Sequence, residues 1–376
     1  MMDPASTVEG SGPRRIVLKM GSSILARPDG LLDTRFIGRL ARVVAALRAE
    51  GRAVLLVSSG AVAAGRAHLR DAAARTDIPS RQMLAAVGQP RLMQAYARAF
   101  GRHGLVVAQA LLTQGDVADR AGYLSARTTL LALLERGIIP IVNENDVVAD
   151  DELRFGDNDR LSAVVAALVE ADLLLLLSDV AGLFDRDPRH DPDARAIPYV
   201  AAIDGAISAL ARPSSSGLGT GGMVTKLQAA RLATAAGVTT VIAAGRERDA
   251  VRRVVAGESV GTRFAASRRG TARRQWLRAR LGGRGVVVVD DGAAAALEHG
   301  GRSLLPAGVR EVRGAFRRGD AVDVARLDGR VLAHGLANYG AADLARLRGR
   351  RSSEIAATLG YHYGDEAIHR NNLVLL

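Results

Sequence analysis

From residue 14 to about residue 244, short apolar runs rich in β-branched residues alternate with longer stretches in which apolar residues recur at spacings of three and four. The short runs suit strands, and the longer spacing lays one apolar stripe along a helix. Two strands joined through a helix must cross over, and the crossover leaves them parallel. The pattern therefore predicts an α/β fold, an open and mainly parallel sheet sandwiched by helices. Strands are predicted at residues 16–19, 54–58, 106–110, 138–142, 173–178 and 240–243, and helices include 81–100, 124–135, 160–170 and 223–236. Residues 173–177 are all leucine, which suits a central strand covered on both faces.

Beyond this stretch the character changes. Residues 285–290, 308–312, 321–326 and 331–337 read as short strands separated by glycine and aspartate turns, which predicts a small all-β barrel. Between the two parts, residues 261–276 hold Arg263, Arg268, Arg269, Arg273 and Arg274 without an acid, the composition of a solvated basic connector. The expected division is a flexible tail at 1–13, a first domain at 14–260, the linker at 261–276 and the barrel at 277–376. The net charge of +12 invites a nucleic-acid partner. With 3% aromatic residues, however, there is little to stack on bases. The chain has no cysteine, which excludes disulfides, thiolate metal sites and a cysteine nucleophile. It offers neither a cationic start with an apolar run behind it nor the ~18 uninterrupted apolar residues of a membrane span, so a cytoplasmic location is expected.

In an open parallel sheet, ligands bind beyond the carboxyl ends of the strands. The residues there are the informative ones. The first strand runs into Lys19-Met20-Gly21-Ser22-Ser23, where glycine admits a phosphate and the lysine reaches its oxygens. The second runs into Ser58-Ser59-Gly60-Ala61, two hydroxyls on a turn of small residues. The fourth runs into Asn143-Glu144-Asn145-Asp146, and Gly156-Asp157-Asn158-Asp159 opens a helix a little further on. The most specific segment is Ser216-Gly217-Leu218-Gly219-Thr220-Gly221-Gly222-Met223-Val224-Thr225-Lys226, a glycine-rich loop entering a helix, whose amides and lysine make an anion site. It matches neither a Walker A loop nor a dinucleotide fingerprint. Acids at Asp185, Asp187, Asp191 and Asp193 lack the glycine and glutamate of a calcium loop, and the histidines form no metal-ligand pair.

Of the 51 basic residues only Lys19 and Lys226 are lysines, and each lies beside one of these glycine-rich turns. A compact ammonium follows a tetrahedral group in transfer more closely than the wide guanidinium fork does. That points to phosphoryl transfer. A carboxylate acceptor, already ionised near pH 7, needs no general base, so catalysis reduces to alignment and cationic shielding. A carboxylate such as Asp159 would serve to hold the two ammonium groups in position.

Taken together, these motifs resemble those of the amino acid kinase superfamily in content and order, along nearly the whole chain. Within it, the likeness is to the branch acting on L-glutamate. Val289-Asp290-Asp291-Gly292-Ala293, Ser303-Leu304-Leu305-Pro306 and Gly314-Ala315-Phe316-Arg317-Arg318-Gly319-Asp320 resemble its appended PUA domain. The resemblance implies transfer of the γ-phosphoryl of ATP to the side-chain carboxylate of L-glutamate, with Mg2+, as the first step of proline biosynthesis. It implies catalytic roles for Lys19, Lys226 and Asp159. It implies ATP binding by Lys19, Gly21, Ser178, Asp179 and the segment Thr220, Gly221, Gly222, Met223, Val224, Thr225 and Lys226, and glutamate binding by Ser59, Asp146 and Asn158. The metal ligands stay unassigned. Feedback inhibition by proline and a homodimer or homotetramer are further implications, with no membrane partner. Ser178 stands where related chains often carry threonine, and keeps the hydroxyl. The alternatives are a sister kinase with another carboxylate, amino acid or nucleotide acceptor, and RNA binding through the PUA-like part.

Overall fold

The computed structural model describes residues 12–27, 29–69, 77–148, 158–188, 190–211, 222–267 and 285–376. Gly156, Asp157, residues 216–221 with Thr220 and Gly221, residues 1–11 and linker residues 268–276 lie outside that set. The chain divides into two compact units, Met1–Gly115 with Leu130–Arg268, and Asp116–Thr129 with Arg269–Leu376.

The first unit is built on an eight-stranded sheet. Its strands are β1 (Arg15–Met20), β2 (Ala53–Ser58), β3 (Val107–Leu112), β4 (Ile139–Glu144), β5 (Leu173–Ser178), β6 (Tyr199–Val200), β7 (Thr239–Ala244) and β8 (Thr262–Phe264). They lie in the order β3-β4-β2-β1-β5-β7-β8-β6. Every pairing is parallel except that of β8 with β7. All six strands expected from sequence are present, each within two residues of its predicted ends. The strands β6 and β8 were not anticipated, since two or three residues carry no readable alternation. The leucine run of β5 is buried at every position, flanked by β1 and β7. Partnering of Met20 with Ser58, Leu112 with Glu144 and Ser178 with Ala244 brings the strands' carboxyl ends to one edge.

Two helices behind this edge meet at backbone distance. A Cβ built on Gly65, in the helix Ala61–Leu69, would fall 1.9 Å from the Leu84 carbonyl oxygen. One on Gly88, in the helix Ile78–Gly101, would fall 1.8 Å from that of Ala61. No side chain fits at either crossing point, so the pair of glycines fixes how closely the helices approach. The helix Ile78–Gly101 is capped by Asp77, whose carboxylate accepts from the Ser80 amide at 2.9 Å.

The second unit holds a five-stranded sheet of β9 (Gly285–Val289), β10 (Val309–Gly314), β11 (Ala321–Ala325), β12 (Val331–Leu336) and β13 (Leu373–Leu375), in the order β10-β9-β11-β12-β13. Besides the expected strands it contains helices, among them Asp291–Gly300 and Ala341–Leu347. The first follows from four consecutive alanines behind Asp290, whose carboxylate caps the Ala293 amide at 2.7 Å. Leu297, Leu344 and Leu347 join Val287 and Val324 in this unit's own core. Within the same unit, Arg318 donates to Ser125 Oγ at 2.8 Å and lies over the Tyr363 ring at 4.0 Å.

Candidate functional site

The helix Asn158–Leu168 starts at the sheet edge, and its first two residues organise the surroundings. Asp159 is fully buried. One of its carboxylate oxygens bonds Lys19 Nζ, near the end of β1, and the other lies 3.3 Å from Lys226 Nζ, one turn into the helix Met223–Ala235. Thr225 Oγ1 donates to that second oxygen at 2.9 Å and also lies 2.9 Å from the Gly222 carbonyl oxygen. Burial alone would raise the Asp159 pKa. The Lys19 ammonium, then that of Lys226, with the bonds from Lys19 and Thr225, reverse the sign and hold it below the usual carboxylate range. Lys19 and Lys226 are themselves 5% and 7% exposed. The three side chains carry a surplus of one positive charge with little water to screen it, and such a corner attracts an anion strongly.

Gly21 keeps that corner open. A Cβ on it would lie 3.8 Å from Lys19 Nζ, in contact with the ammonium, which the glycine leaves bare on that side. Gly222 precedes the Met223–Ala235 helix in extended conformation with no side chain over its first amides. Met223, Val224 and Thr225 are half-buried in that first turn. Ser178 and Asp179 follow at the end of β5, with Ser178 Oγ donating to the Asp179 carboxylate at 3.0 Å.

Asn158 faces a different set of partners. Its Nδ2 lies 2.8 Å from the Ser58 carbonyl oxygen, 2.9 Å from Ser59 Oγ and 2.9 Å from Asn143 Oδ1. Asn143 Oδ1 also accepts from the Glu144 amide at 2.9 Å. Asp146 sits half-buried in the turn after β4, on the same edge. So of the residues singled out from sequence, Lys19, Asp159, Thr225 and Lys226 meet at one point, and Ser59 meets Asn158 at another. Among the described residues no group of three or more histidine or acidic side chains could hold a metal ion.

Sequence reasoning missed three contributors. Asn143 belonged to a polar cluster that was noticed, but nothing marked it as the member that touches Asn158. Ser58 looked like any small residue in a turn, and Tyr96, whose hydroxyl it meets at 2.8 Å, looked like core.

Two family models match the chain, Amino acid kinase family at residues 14–244 and PUA domain at residues 285–359. The chain is 49% identical over 367 residues to the glutamate 5-kinase of Dehalococcoides mccartyi, covering 96% of this chain and 98% of that protein. It is 51% identical over 361 residues to the glutamate 5-kinase of Herpetosiphon aurantiacus, with 96% and 98% covered. To that of Thermus thermophilus it is 48% identical over 366 residues, with 97% and 98% covered.

Proposed function

The chain belongs to the amino acid kinase family, and on that premise we propose that it transfers the γ-phosphoryl group of ATP to the side-chain carboxylate of L-glutamate, the opening step of proline biosynthesis. A carboxylate oxygen attacks the γ-phosphorus while the bond from that phosphorus to its bridging oxygen breaks. The products are L-glutamyl 5-phosphate and ADP. No proton moves, because the acceptor is already ionised at neutral pH. What the reaction requires is that two anions be brought into line and their repulsion shielded.

The observation that carries this reading is the meeting of Lys19 and Lys226, from two distant segments, on the two oxygens of one buried carboxylate. In the proposed roles these ammonium groups bracket the phosphoryl group in transit, and Asp159 fixes the spacing between them. Gly21, Ser178, Asp179 and the segment Thr220, Gly221, Gly222, Met223, Val224, Thr225 and Lys226 take ATP. Ser59, Asn158 and Asp146 take glutamate. Magnesium keeps most of its waters and typically asks one or two carboxylates of a protein. Both Asp159 oxygens are engaged by ammonium and hydroxyl groups, so the donor set fits a Mg2+ ion that arrives on the ATP phosphates, where it would neutralise phosphate charge. Inhibition by proline at the glutamate pocket, assembly into homodimers or homotetramers and a cytoplasmic location complete the proposal. No helix among the described residues is long and apolar enough to cross a membrane.

A coupled assay for ADP release tests it, run with L-glutamate, N-acetylglutamate, aspartate and a nucleoside monophosphate as acceptors, each with and without proline. Release that depends on glutamate and falls with proline is the expected result. Release driven by another acceptor and not by glutamate would overturn the assignment.

A further inference from the structure

The helix Ile78–Gly101 braces the turn that carries Ser59 at two places. One is the glycine crossing, where Gly88 lies against the backbone of Ala61 and Gly65, the first and fifth residues of the helix that follows the turn. The other is Tyr96, two turns further along and fully buried, whose hydroxyl lies 2.8 Å from Ser58 Oγ. Ser58 Oγ also lies 2.9 Å from the Ser59 carbonyl oxygen, which can only accept. The Ser58 proton therefore goes to Ser59, and the Tyr96 proton goes to Ser58. A chain of two hydrogen bonds thus runs from a helix in the core to the peptide group of Ser59, and each bond polarises the next. The same Ser58 presents its own carbonyl to Asn158 at 2.8 Å. Burial pushes the Tyr96 pKa up, so this donor keeps its proton throughout the working range.

We propose that Tyr96 is a positioning residue for the phosphoryl acceptor: through Ser58 it sets the orientation of the Ser59 turn, and so the fit of the glutamate that Ser59 and Asn158 hold. This rests on the glutamate-kinase reading above. Tyr96 makes no hydrogen bond to Lys19 or Lys226 among the described residues; its one polar contact is with Ser58, on the acceptor side, so its effect is expected chiefly there. A buried tyrosine with a purely packing role would behave differently, since Tyr96→Phe keeps the ring, including its tilted contact with Phe100 at a centroid distance of 6.2 Å, and removes only the donor.

The test is steady-state kinetics of the full chain and its variants with both substrates varied. For Tyr96→Phe, KM for glutamate is expected to rise about threefold to tenfold, the worth of one neutral hydrogen bond, with kcat and KM for ATP at wild-type values. Ser58→Ala, which cuts the same chain from its other end, should give the same split. The double variant should cost no more than the larger single effect. Should Tyr96→Phe fail to fold, Ser58→Ala carries the test by itself. Unchanged KM for glutamate in both singles, a parallel rise of both KM values, or strictly additive effects in the double variant would each overturn the proposal. A wild-type chain without glutamate-dependent turnover would instead strike the underlying reading, which keeps the two failures apart.

Discussion

Asn158 and Asp159 are neighbours in the chain, yet they anchor two corners of opposite physical character. Around Asp159 the site is ionic and dry, with two ammonium groups and a hydroxyl converging on one carboxylate. Around Asn158 it is neutral, an amide reaching a carbonyl, a hydroxyl and a second amide. In the proposed roles, formal charge suits a corner that holds a polyanion while its charge is redistributed, because a preorganised cation acts most strongly where charge develops. The neutral partners of Asn158, in the same proposed roles, suit the acceptor, whose own carboxylate must be oriented without being pinned so tightly that it stops attacking. The difference lies in a single side-chain group, amide against carboxylate, at successive positions of one helix start.

The sharpest way to break this contrast is to make the ionic corner neutral. Asp159→Asn leaves two ammonium groups, with side chains only 7% and 9% exposed, facing an amide. Stability should fall by about 3 kcal/mol, the usual cost of orphaning a buried ion-pair partner, as read from denaturant midpoints. The effect has a definite pH signature. Because the folded pKa of Asp159 is depressed, its contribution is complete above the ordinary carboxylate value and is lost as pH falls below it. The gap between wild type and Asp159→Asn should hold from pH 7 down to about 5 and narrow below about pH 4.

Next in size comes removal of one cation. Lys19→Ala or Lys226→Ala should lower turnover at least about a hundredfold in the ADP assay, the scale of a lost preorganised charge. Near-normal turnover would remove that lysine from the chemistry. The smallest effect belongs to the neutral corner. Asn158→Ala should raise KM for glutamate about tenfold and leave KM for ATP in place, since it deletes hydrogen bonds on the acceptor side only. Equal losses for both substrates would mean that the two corners are not separable.

Much of this arrangement was readable before any coordinates. Strands β1 to β5 and β7 announce themselves through apolar runs of ordinary length, and their polar followers through position alone. The two lysines stood out because arginine serves everywhere else. The helices Asp291–Gly300 and Ala341–Leu347 of the second unit were not foreseen, because short strands between glycine and aspartate turns dominated the reading of that region. The role of Thr225 was visible only as membership of a glycine-rich loop; its bond to Asp159 joins segments 66 residues apart, which no local pattern reports. Tyr96 was illegible for a deeper reason. A tyrosine on the inner stripe of a helix has the same periodicity whether its hydroxyl is spent on packing or on a turn with a task.

The burial of both lysines has a practical consequence. Every side-chain amine this protein possesses sits inside its proposed catalytic cleft, 5% and 7% exposed, in a chain otherwise rich in guanidinium groups that acylating reagents ignore. The molecule therefore comes with a built-in reporter. The rate at which a mild acylating agent marks Lys19 and Lys226, followed by peptide mass, measures how often the cleft opens to solvent, and protection by a bound nucleotide would be read directly from the same two peptides.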